Sequence, residues 1–369
     1  MCFGFSSSRA LGFYRCLGGC TLAVVFLLGS IFPAAAEQAV RIASVAYPQG
    51  KGYVLNGISA IVEHDPVLQA DLKKLGARLE WVPTPPQSVG ATINEAFANH
   101  SVEFAHYGDL PSVILNAGGV ETVVVVPGGS GMNVYVVVPV ASSAKSIQDL
   151  KGKSIALHRG RPWEQVFARL LAENGLKLSD FRIKNLNPQA GAAALASGDV
   201  DAVVTLFDLF PLVDKGIGKV LWSSKTPGQN WKIRTELFGS REFIQRHPEI
   251  TQAVANAQVR AAHWLSQPGN FETYLRLSAR AGYPEAMVRA EYQNDSVPWK
   301  DAWNPKYDGV LAHYRRVVAY AKSSGLIRKE FDAAKLVETK FLKRALQDLD
   351  LQDYWRGETA RVTTGKTGK

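Results

Sequence analysis

The chain carries only three cysteines, Cys2, Cys16 and Cys20, all near its start. The rest of the sequence therefore has no disulfide, no thiol nucleophile and no thiolate metal ligand, and its stability must come from core packing. Histidine is nearly as sparse. The seven residues (His64, His100, His106, His158, His247, His263, His313) include no pair four apart and no HExxH, so neither a helical zinc site nor any other metal is expected. There is no G-x-S-x-G elbow, and Ser130 in Gly129-Ser130-Gly131 lacks the strand-turn-helix setting of a nucleophile. Gly365-Lys366-Thr367 imitates the end of a phosphate loop, but Ala360 stands where the required glycine would be, and the segment reads as a solvated tail. Asn99-His100-Ser101 and Asn294-Asp295-Ser296 fit the N-glycosylation pattern, as do many short polar loops. No catalytic residue and no cofactor are assigned.

Runs of like charge are missing too. Lys and Arg number 42 against 33 Asp and Glu, a net charge of +9, but no stretch of five or six basic residues, no C2H2 spacing and no RNP-like aromatic motif occurs. This excludes nucleic acid as the natural partner and leaves an anionic ligand or surface as the use of a thinly spread positive charge. With 369 residues, 46% hydrophobic and 20% charged, the chain is a soluble globular protein of about two domains.

What is present first is a leader. Arg9 and Arg15 precede an apolar kernel, Thr21 to Phe32, and Pro33 leads into Ala34-Ala35-Ala36 before Glu37. This is the pattern of a secretory signal peptide over residues 1–36, cleaved near Ala36, and cleavage there removes every cysteine. The kernel is shorter than the roughly 20 residues of a spanning helix, which disfavours an uncleaved anchor. Leu17-Gly18-Gly19-Cys20 looks like a lipid-attachment box, yet it precedes the kernel instead of following it.

Beyond Glu37, short β-branched runs alternate with helical periodicity, the signature of an α/β protein with largely parallel sheets. Strands are expected at Val40 to Ala46, Arg78 to Val82, Val102 to His106 and Glu121 to Val126, with helices around Leu68, Leu72 and Leu75, from Ser88 to Asn99, and from Pro111 to Ala117. Pro127-Gly128-Gly129-Ser130-Gly131 interrupts this series before Val134 to Val138 and marks a crossing between domains. A second series follows: Ser154 to Leu157, a helix from Pro162 to Asn174, a strand near Phe181 to Leu186, a helix from Gln189 to Ser197, Ala202 to Thr205 and Lys219 to Trp222. Trp231 to Phe238 is expected to return to the first lobe. From Arg241 helices dominate: Pro248 to Leu265, Phe271 to Ala281, Pro305 to Ser323 and Lys335 to Leu349, before a polar tail over 356–369. The organisation read here is lobe 1 from 37–128 and 231–355, and lobe 2 from 129–230.

Polar residues cluster where expected strands end, the ligand position of open α/β sheets. They are Tyr47 and Gln49, then Gly108 and Asp109, then Gly160, Arg161 and Trp163, and finally Phe207 and Asp208, with Ser130 and Asn133 beside the crossing. The Gly160 loop is the most specific. Gly160 permits a tight backbone, Pro162 suits a first helical position, and the helix start offers partial positive charge to an anion. Arg161 would add a fork for a carboxylate, sulfonate or phosphate, with Trp163 packing the apolar part. The alternative makes Arg161 a solvated charge and Trp163 a core cap. Asp109 serves either ligand or the following helix as its N-cap. Asp208 reads either as a contact for a ligand amine or as a pin for the hinge.

Val40-Arg41-Ile42-Ala43 with Tyr47 and Gln49 after it, Val102 to Pro111 ending in Tyr107-Gly108-Asp109-Leu110-Pro111, Ile147 to Leu157 containing Asp149-Leu150-Lys151-Gly152-Lys153, and Ala196-Ser197-Gly198-Asp199-Val200-Asp201-Ala202 follow in order. This succession resembles the periplasmic solute-binding proteins of ABC importers for aliphatic sulfonates, taurine and nitrate. The likeness runs to about Gly216 and more loosely through Arg246-His247-Pro248-Glu249 and Ser324-Gly325-Leu326-Ile327. It implies a bilobal periplasmic-binding-protein type II fold, two mixed-sheet lobes joined by hinge strands with a helical C-terminal section. It also implies closure on a ligand without catalysis and docking on an inner-membrane permease. Carried over by position, it implies ligand contacts at Gln49, Gly108, Asp109, Asn133, Gly160 and Asp208. Two departures alter the anion subsite and the aromatic wall: Arg161 stands where a small hydroxyl residue is usual, and Phe207-Asp208-Leu209 where Trp-Asp-Pro is common.

The reading is a monomeric, periplasmic binding protein for a small anionic organic solute. The alternatives are an enzyme of pyrimidine-precursor or menaquinone synthesis on the same fold, and an exported sensor domain serving a receptor kinase. Export argues against the enzymes, and the cysteine-rich motif of the pyrimidine synthases is absent.

Overall fold

The computed structural model describes residues 37–225, 231–306 and 309–355. The segment expected to be a signal peptide, with its three cysteines and expected cleavage site, and the expected polar tail lie outside the described residues. Among the described residues no helix is long and apolar enough to cross a membrane.

The first lobe opens with β1 (Gln38–Gln49), whose Val40, Ile42, Ala43 and Ala46 are buried, as befits a strand covered on both faces. A hairpin returns through β2 (Gly52–Leu55) to α1 (Ile58–Val62) and α2 (Pro66–Lys74). The start of α2 is dictated locally: Asp65 accepts hydrogen bonds from the Val67 and Leu68 amides at 2.9 and 3.3 Å, and Pro66 fills the first helical position. Leu68 and Leu72 are buried four residues apart, whereas Leu75 caps the helix in solvent. Then come β3 (Ala77–Thr84), α3 (Val89–Ala98), β4 (Phe104–Gly108), α4 (Asp109–Ala117) and β5 (Thr122–Val126).

The second lobe is built from β6 (Tyr135–Pro139), β7 (Ser154–Leu157), α5 (Pro162–Glu173), β8 (Arg182–Lys184), α6 (Pro188–Ser197), β9 (Ala202–Thr205), α7 (Phe210–Asp214) and β10 (Gly218–Ser223). Helix α5 buries Val166, Phe167, Leu170 and Leu171, the spacing of a single apolar stripe against the sheet. The chain then returns as β11 (Thr235–Ser240) into the first sheet.

The first sheet runs β2-β1-β4-β11-β5 with β3 beside β1, and the second runs β10-β6-β9-β7-β8. Both are mixed. The βαβ units pair in parallel, β1 with β3 and β4, and β7 with β8 and β9. The strands that enter and leave each lobe, β6, β10 and β11, run antiparallel to their neighbours, so the largely parallel arrangement expected from the alternating pattern holds only within those units.

The helical section comprises α8 (Arg241–Arg246), α9 (Pro248–Ser266), α10 (Phe271–Arg280), α11 (Glu285–Tyr292), α12 (Trp299–Ala302), α13 (Val310–Ser323) and α14 (Lys340–Asp348). It packs largely on the first lobe, with α9 against α1, α2 and α14, and α13 against α4. Two expectations shift here. The helix expected from Pro305 begins at Val310. The one expected from Lys335 begins at Lys340, because Asp332 caps a single 3-10 turn over Ala333–Leu336 and Val337 then runs extended beside Val124 of β5.

Candidate functional site

The chain passes between the sheets twice, and the two passages are zipped together. Met132 and Ile233 exchange amide-to-carbonyl hydrogen bonds at 3.1 and 3.0 Å. Glycine is obligatory at this crossing: Gly131 has φ of +89°, and a Cβ there would lie 1.9 Å from the Ile233 carbonyl oxygen. A cavity of about 290 Å³ opens between the lobes beside it.

Six residues singled out from sequence line this cavity: Tyr47, Gly108, Arg161, Trp163, Phe207 and Asp208. Each is delivered by a strand or helix end. Tyr47 stands near the end of β1, Gly108 ends β4, Arg161 is the extended N-cap of α5 with Trp163 in its first turn, and Phe207 and Asp208 follow β9. Gly108 must stay small, because a Cβ there would meet the Pro162 ring at 2.4 Å.

Arg161 is the one Lys or Arg on the described cavity wall. Its guanidinium lies 4.8 Å over the Trp163 ring, and its Nε has no hydrogen-bond partner among the described residues. Burial draws its pKa down to about 10 against the opposing pull of Asp208 and Tyr47, so it remains charged at neutral pH. Asp208 is held higher than an ordinary carboxyl, at about 6, chiefly by burial, although the Thr205 hydroxyl donates to it at 3.3 Å and Arg161 favours its charge. One cation and one carboxylate thus share a largely apolar chamber without forming an ion pair.

A neutral polar chain forms part of the first-lobe wall. Ser44 Oγ lies 2.8 Å from Ser59 Oγ, Ser59 Oγ 2.7 Å from His106 Nδ1, and His106 Nε2 2.8 Å from Gln258 Oε1. Burial lowers His106 to about 4, so the imidazole is neutral. Because the Gln258 oxygen only accepts, Nε2 carries the proton, Nδ1 accepts from Ser59, and Ser59 in turn accepts from Ser44. None of these four residues stood out in the sequence. They come from β1, α1, β4 and α9, and no local motif links them.

The other five expected residues lie off this wall. Gln49 is exposed at the β1-β2 turn. Asp109 is fully buried, and Gly108, not Asp109, is the N-cap of α4. The Asp109 carboxylate accepts from the Leu110 amide at 2.7 Å, Gln165 Nε2 at 2.8 Å and the Arg234 amide at 3.3 Å, and it lies 2.6 Å from His313 Nε2. Ser130 hydrogen-bonds through its amide to the Ala302 carbonyl. Asn133 is buried and donates to Glu291 at 3.0 Å and to Asp295 at 2.6 Å, which ties the first crossing to α11 and the turn after it. Gly160, at φ +74°, forms the turn before Arg161 and donates its amide to Glu164 Oε2 at 2.5 Å. Glu164 is itself fully buried and also accepts from Arg159 at 2.6 Å and Tyr320 at 2.9 Å. The start of α5 therefore already holds a carboxylate of its own, and the helix-dipole site read from sequence is shared with it.

Residues 72–226 match the family model described as the periplasmic substrate-binding protein of a phosphonate ABC transporter. The fold superposes with a TM-score of 0.80 on a crystal structure from Methylobacillus flagellatus described as the periplasmic sulfonate-binding protein SsuA of a sulfonate ABC transporter, at 45% identity over 88% of this chain and 98% of that one. The chain belongs to the periplasmic solute-binding proteins of ABC transporters, in the sulfonate, taurine and nitrate family. Such a solute-binding protein works in the periplasm, captures a small molecule between its lobes and serves an ABC permease; it is not an enzyme. The taurine-binding periplasmic protein of Escherichia coli K12 is 29% identical over 60% of this chain and 71% of its own length. The alkanesulfonate-binding protein SsuA of Xanthomonas axonopodis, solved with MOPS bound, shares the fold at 21% identity and a TM-score of 0.67 over 82% of this chain and 99% of that one.

Proposed function

We propose that the solute is a small organic anion, a sulfonate foremost, held by Arg161 in the cavity between the lobes. The observation that carries this reading is the half-buried Arg161 guanidinium on the cavity wall, over the Trp163 ring with its buried Nε unpartnered, in a chamber with no other Lys or Arg among the described residues. The sulfonate and taurine names of the relatives support the same ligand class. Tyr47, Gly108, Trp163, Phe207 and Asp208 complete the contact surface in this reading. Asp109, Ser130, Asn133 and Gly160 support its shape, while Gln49 lies in solvent away from it: Asp109 and Asn133 spend their polar side-chain groups inside the fold, and Gly160 aims the loop that carries Arg161.

The same proposal takes lobe 1 as 37–128 and 231–355 and lobe 2 as 129–230, the protein as a monomer, and the mature chain as beginning near Glu37. Thermal-shift screening of sulfonates, carboxylates and nitrate tests the ligand class, because a binder raises stability with its concentration. Stabilisation by sulfonates that Arg161→Ala abolishes is the expected result, and stabilisation only by neutral solutes overturns it. N-terminal sequencing of the periplasmic protein tests the cleavage. Recovery only from membranes, with Cys20 acylated, would replace the signal-peptide reading with lipid anchoring.

A further inference from the structure

A second charged side chain, Asp208, lines the same cavity as Arg161, beside a group of aromatic rings. The Tyr47 and Tyr283 rings meet edge to face at 5.2 Å between centroids with their hydroxyls 2.7 Å apart, and Phe207 stands 5.5 Å from Tyr283. These three rings and Asp208 all line the cavity. Burial pushes both phenols up and the Asp208 carboxylate adds to the rise, while Asp208 itself has no ion-pair partner within 4 Å among the described residues. Aromatic walls closed by a carboxylate are the arrangement that attracts an alkylated ammonium, through ring quadrupoles and direct Coulomb attraction.

We propose that the solute is a zwitterion whose N-alkylated ammonium sits among Tyr47, Phe207, Tyr283 and Asp208 while its anionic group meets Arg161. The proposal rests on the reading of Arg161 as the anion contact. Charge balance supports it. Asp208 is the one Asp or Glu on the described cavity wall, as Arg161 is the one Lys or Arg. A purely anionic solute would take Arg161 and leave Asp208 beside a second negative charge in a largely apolar chamber. Alkylation is favoured by the aromatic character of the wall. The Tyr47 and Tyr283 hydroxyls are engaged with each other, and Thr205 donates to Asp208. A primary ammonium would have to compete for acceptors that already take part in these bonds, whereas methyl groups need no hydrogen bond and pack on the three rings.

The groups facing Asp208 are Arg161 at the N-cap of α5, Tyr47 of β1, Tyr283 after α10 and Thr205 of β9, and His106 elsewhere on the wall is neutral. The Asp208 carboxyl titrates near 6, so its attraction for a cation is complete at pH 8 and fades as the pH falls through that value.

Calorimetry on the periplasmic protein with three sulfonates of matched length tests the proposal: 2-(trimethylammonio)ethanesulfonate, its carbon isostere 3,3-dimethylbutane-1-sulfonate, and taurine, at pH 8 and pH 5. The trimethylammonio compound should bind at least tenfold more tightly than either of the others at pH 8. Its advantage over the isostere should shrink several-fold at pH 5 and vanish in Asp208→Asn, which should still bind the isostere. Equal or tighter binding of the isostere overturns the ammonium site while leaving the anion site standing. Equal or tighter binding of taurine overturns the requirement for alkylation. Failure of all three overturns the anion reading at Arg161 and the zwitterion with it.

Discussion

Gln165 of α5 donates a 2.8 Å hydrogen bond across the cleft to the buried Asp109 carboxylate at the head of α4. One position earlier in α5, Glu164 accepts from the Tyr320 hydroxyl of α13 at 2.9 Å. These two bonds join α5 of the second lobe to α4 and α13, so part of the closure free energy belongs to the protein itself. A hydrogen bond to a charged group contributes about 1.5 to 3 kcal/mol. Gln165→Ala combined with Tyr320→Phe should therefore loosen the ligand-free protein, visible as a larger radius of gyration in small-angle scattering, and weaken solute binding about tenfold or more. Unchanged scattering would show that these two bonds do not hold the lobes.

Arg161→Ala should weaken binding of an anionic group by about ten- to a hundredfold, the equivalent of a lost charge-assisted pair. Arg161→Lys should recover only part of this, because an ammonium has no planar fork and stacks poorly on Trp163. Calorimetry on the three proteins checks the order. An effect of less than about twofold in Arg161→Ala would mean that the guanidinium does not touch the solute.

The buried pair Lys232 and Asp295, 2.6 Å apart, fastens the second crossing to the turn after α11. Burial alone would raise the Asp295 carboxyl, but Lys232 and Asn133 outweigh it and hold it below the ordinary range. A depressed carboxyl contributes stability that is present above its unfolded pKa and is lost as the pH falls through the folded one, so this share disappears below about pH 4. Asp295→Ala leaves a buried ammonium without its partner and should cost roughly 3 to 5 kcal/mol at pH 7 in urea unfolding. A loss under 1 kcal/mol would show that Lys232 finds another carboxylate.

Asp208 works in the opposite sense. Its folded pKa lies above the unfolded value, so the native state retains the proton longer and stability falls as the pH rises from about 4 towards 6. Without solute, Asp208→Asn should therefore melt at a higher temperature than the parent at pH 8, with the difference shrinking as the pH falls below 6. A pH-independent difference would mean that the asparagine changes packing and not charge.

Gly131→Ala tests the crossing. A methyl group 1.9 Å from the Ile233 carbonyl, at φ +89°, must separate Met132 from Ile233. Destabilisation by about 2 kcal/mol or more is expected, read by chemical unfolding. A neutral result would show that the passages part easily.

How much of this was legible beforehand depended on how local the cause was. Ser154–Leu157 and Ala202–Thr205 coincide with their expected strands because both are short, mostly apolar segments set between turns, with Ile155 to Leu157 and Ala202 to Val204 buried along their length. The hairpin strand Gly52–Leu55 has too little pattern of its own to announce itself. Helices α11 and α12 are short segments opened by Pro284 and Pro298, and their support comes from the aromatic cluster of Tyr274, Tyr292, Trp299 and Trp303, assembled only in three dimensions. The Gly160-Arg161-Pro162 loop was readable because a turn, a charge and a helix start lie side by side. The chain from Ser44 to Gln258 was not, since His106 and Gln258 are 152 residues apart and an isolated neutral histidine carries no spacing signal.

The position of β11 sets the order in which the molecule can be completed. Strand β5 reaches the rest of its sheet only through β11, which lies between it and β4. All five strands of the second sheet, by contrast, are encoded in one continuous stretch ending at Ser223. During synthesis or passage through a membrane, the second lobe has all its strands before the first can close. Until Ser240 has emerged, about two-thirds of the way along the chain, the first sheet stays in two unjoined pieces. A chain bound for the periplasm is therefore kept from reaching the native first lobe until that strand is available, by strand order alone.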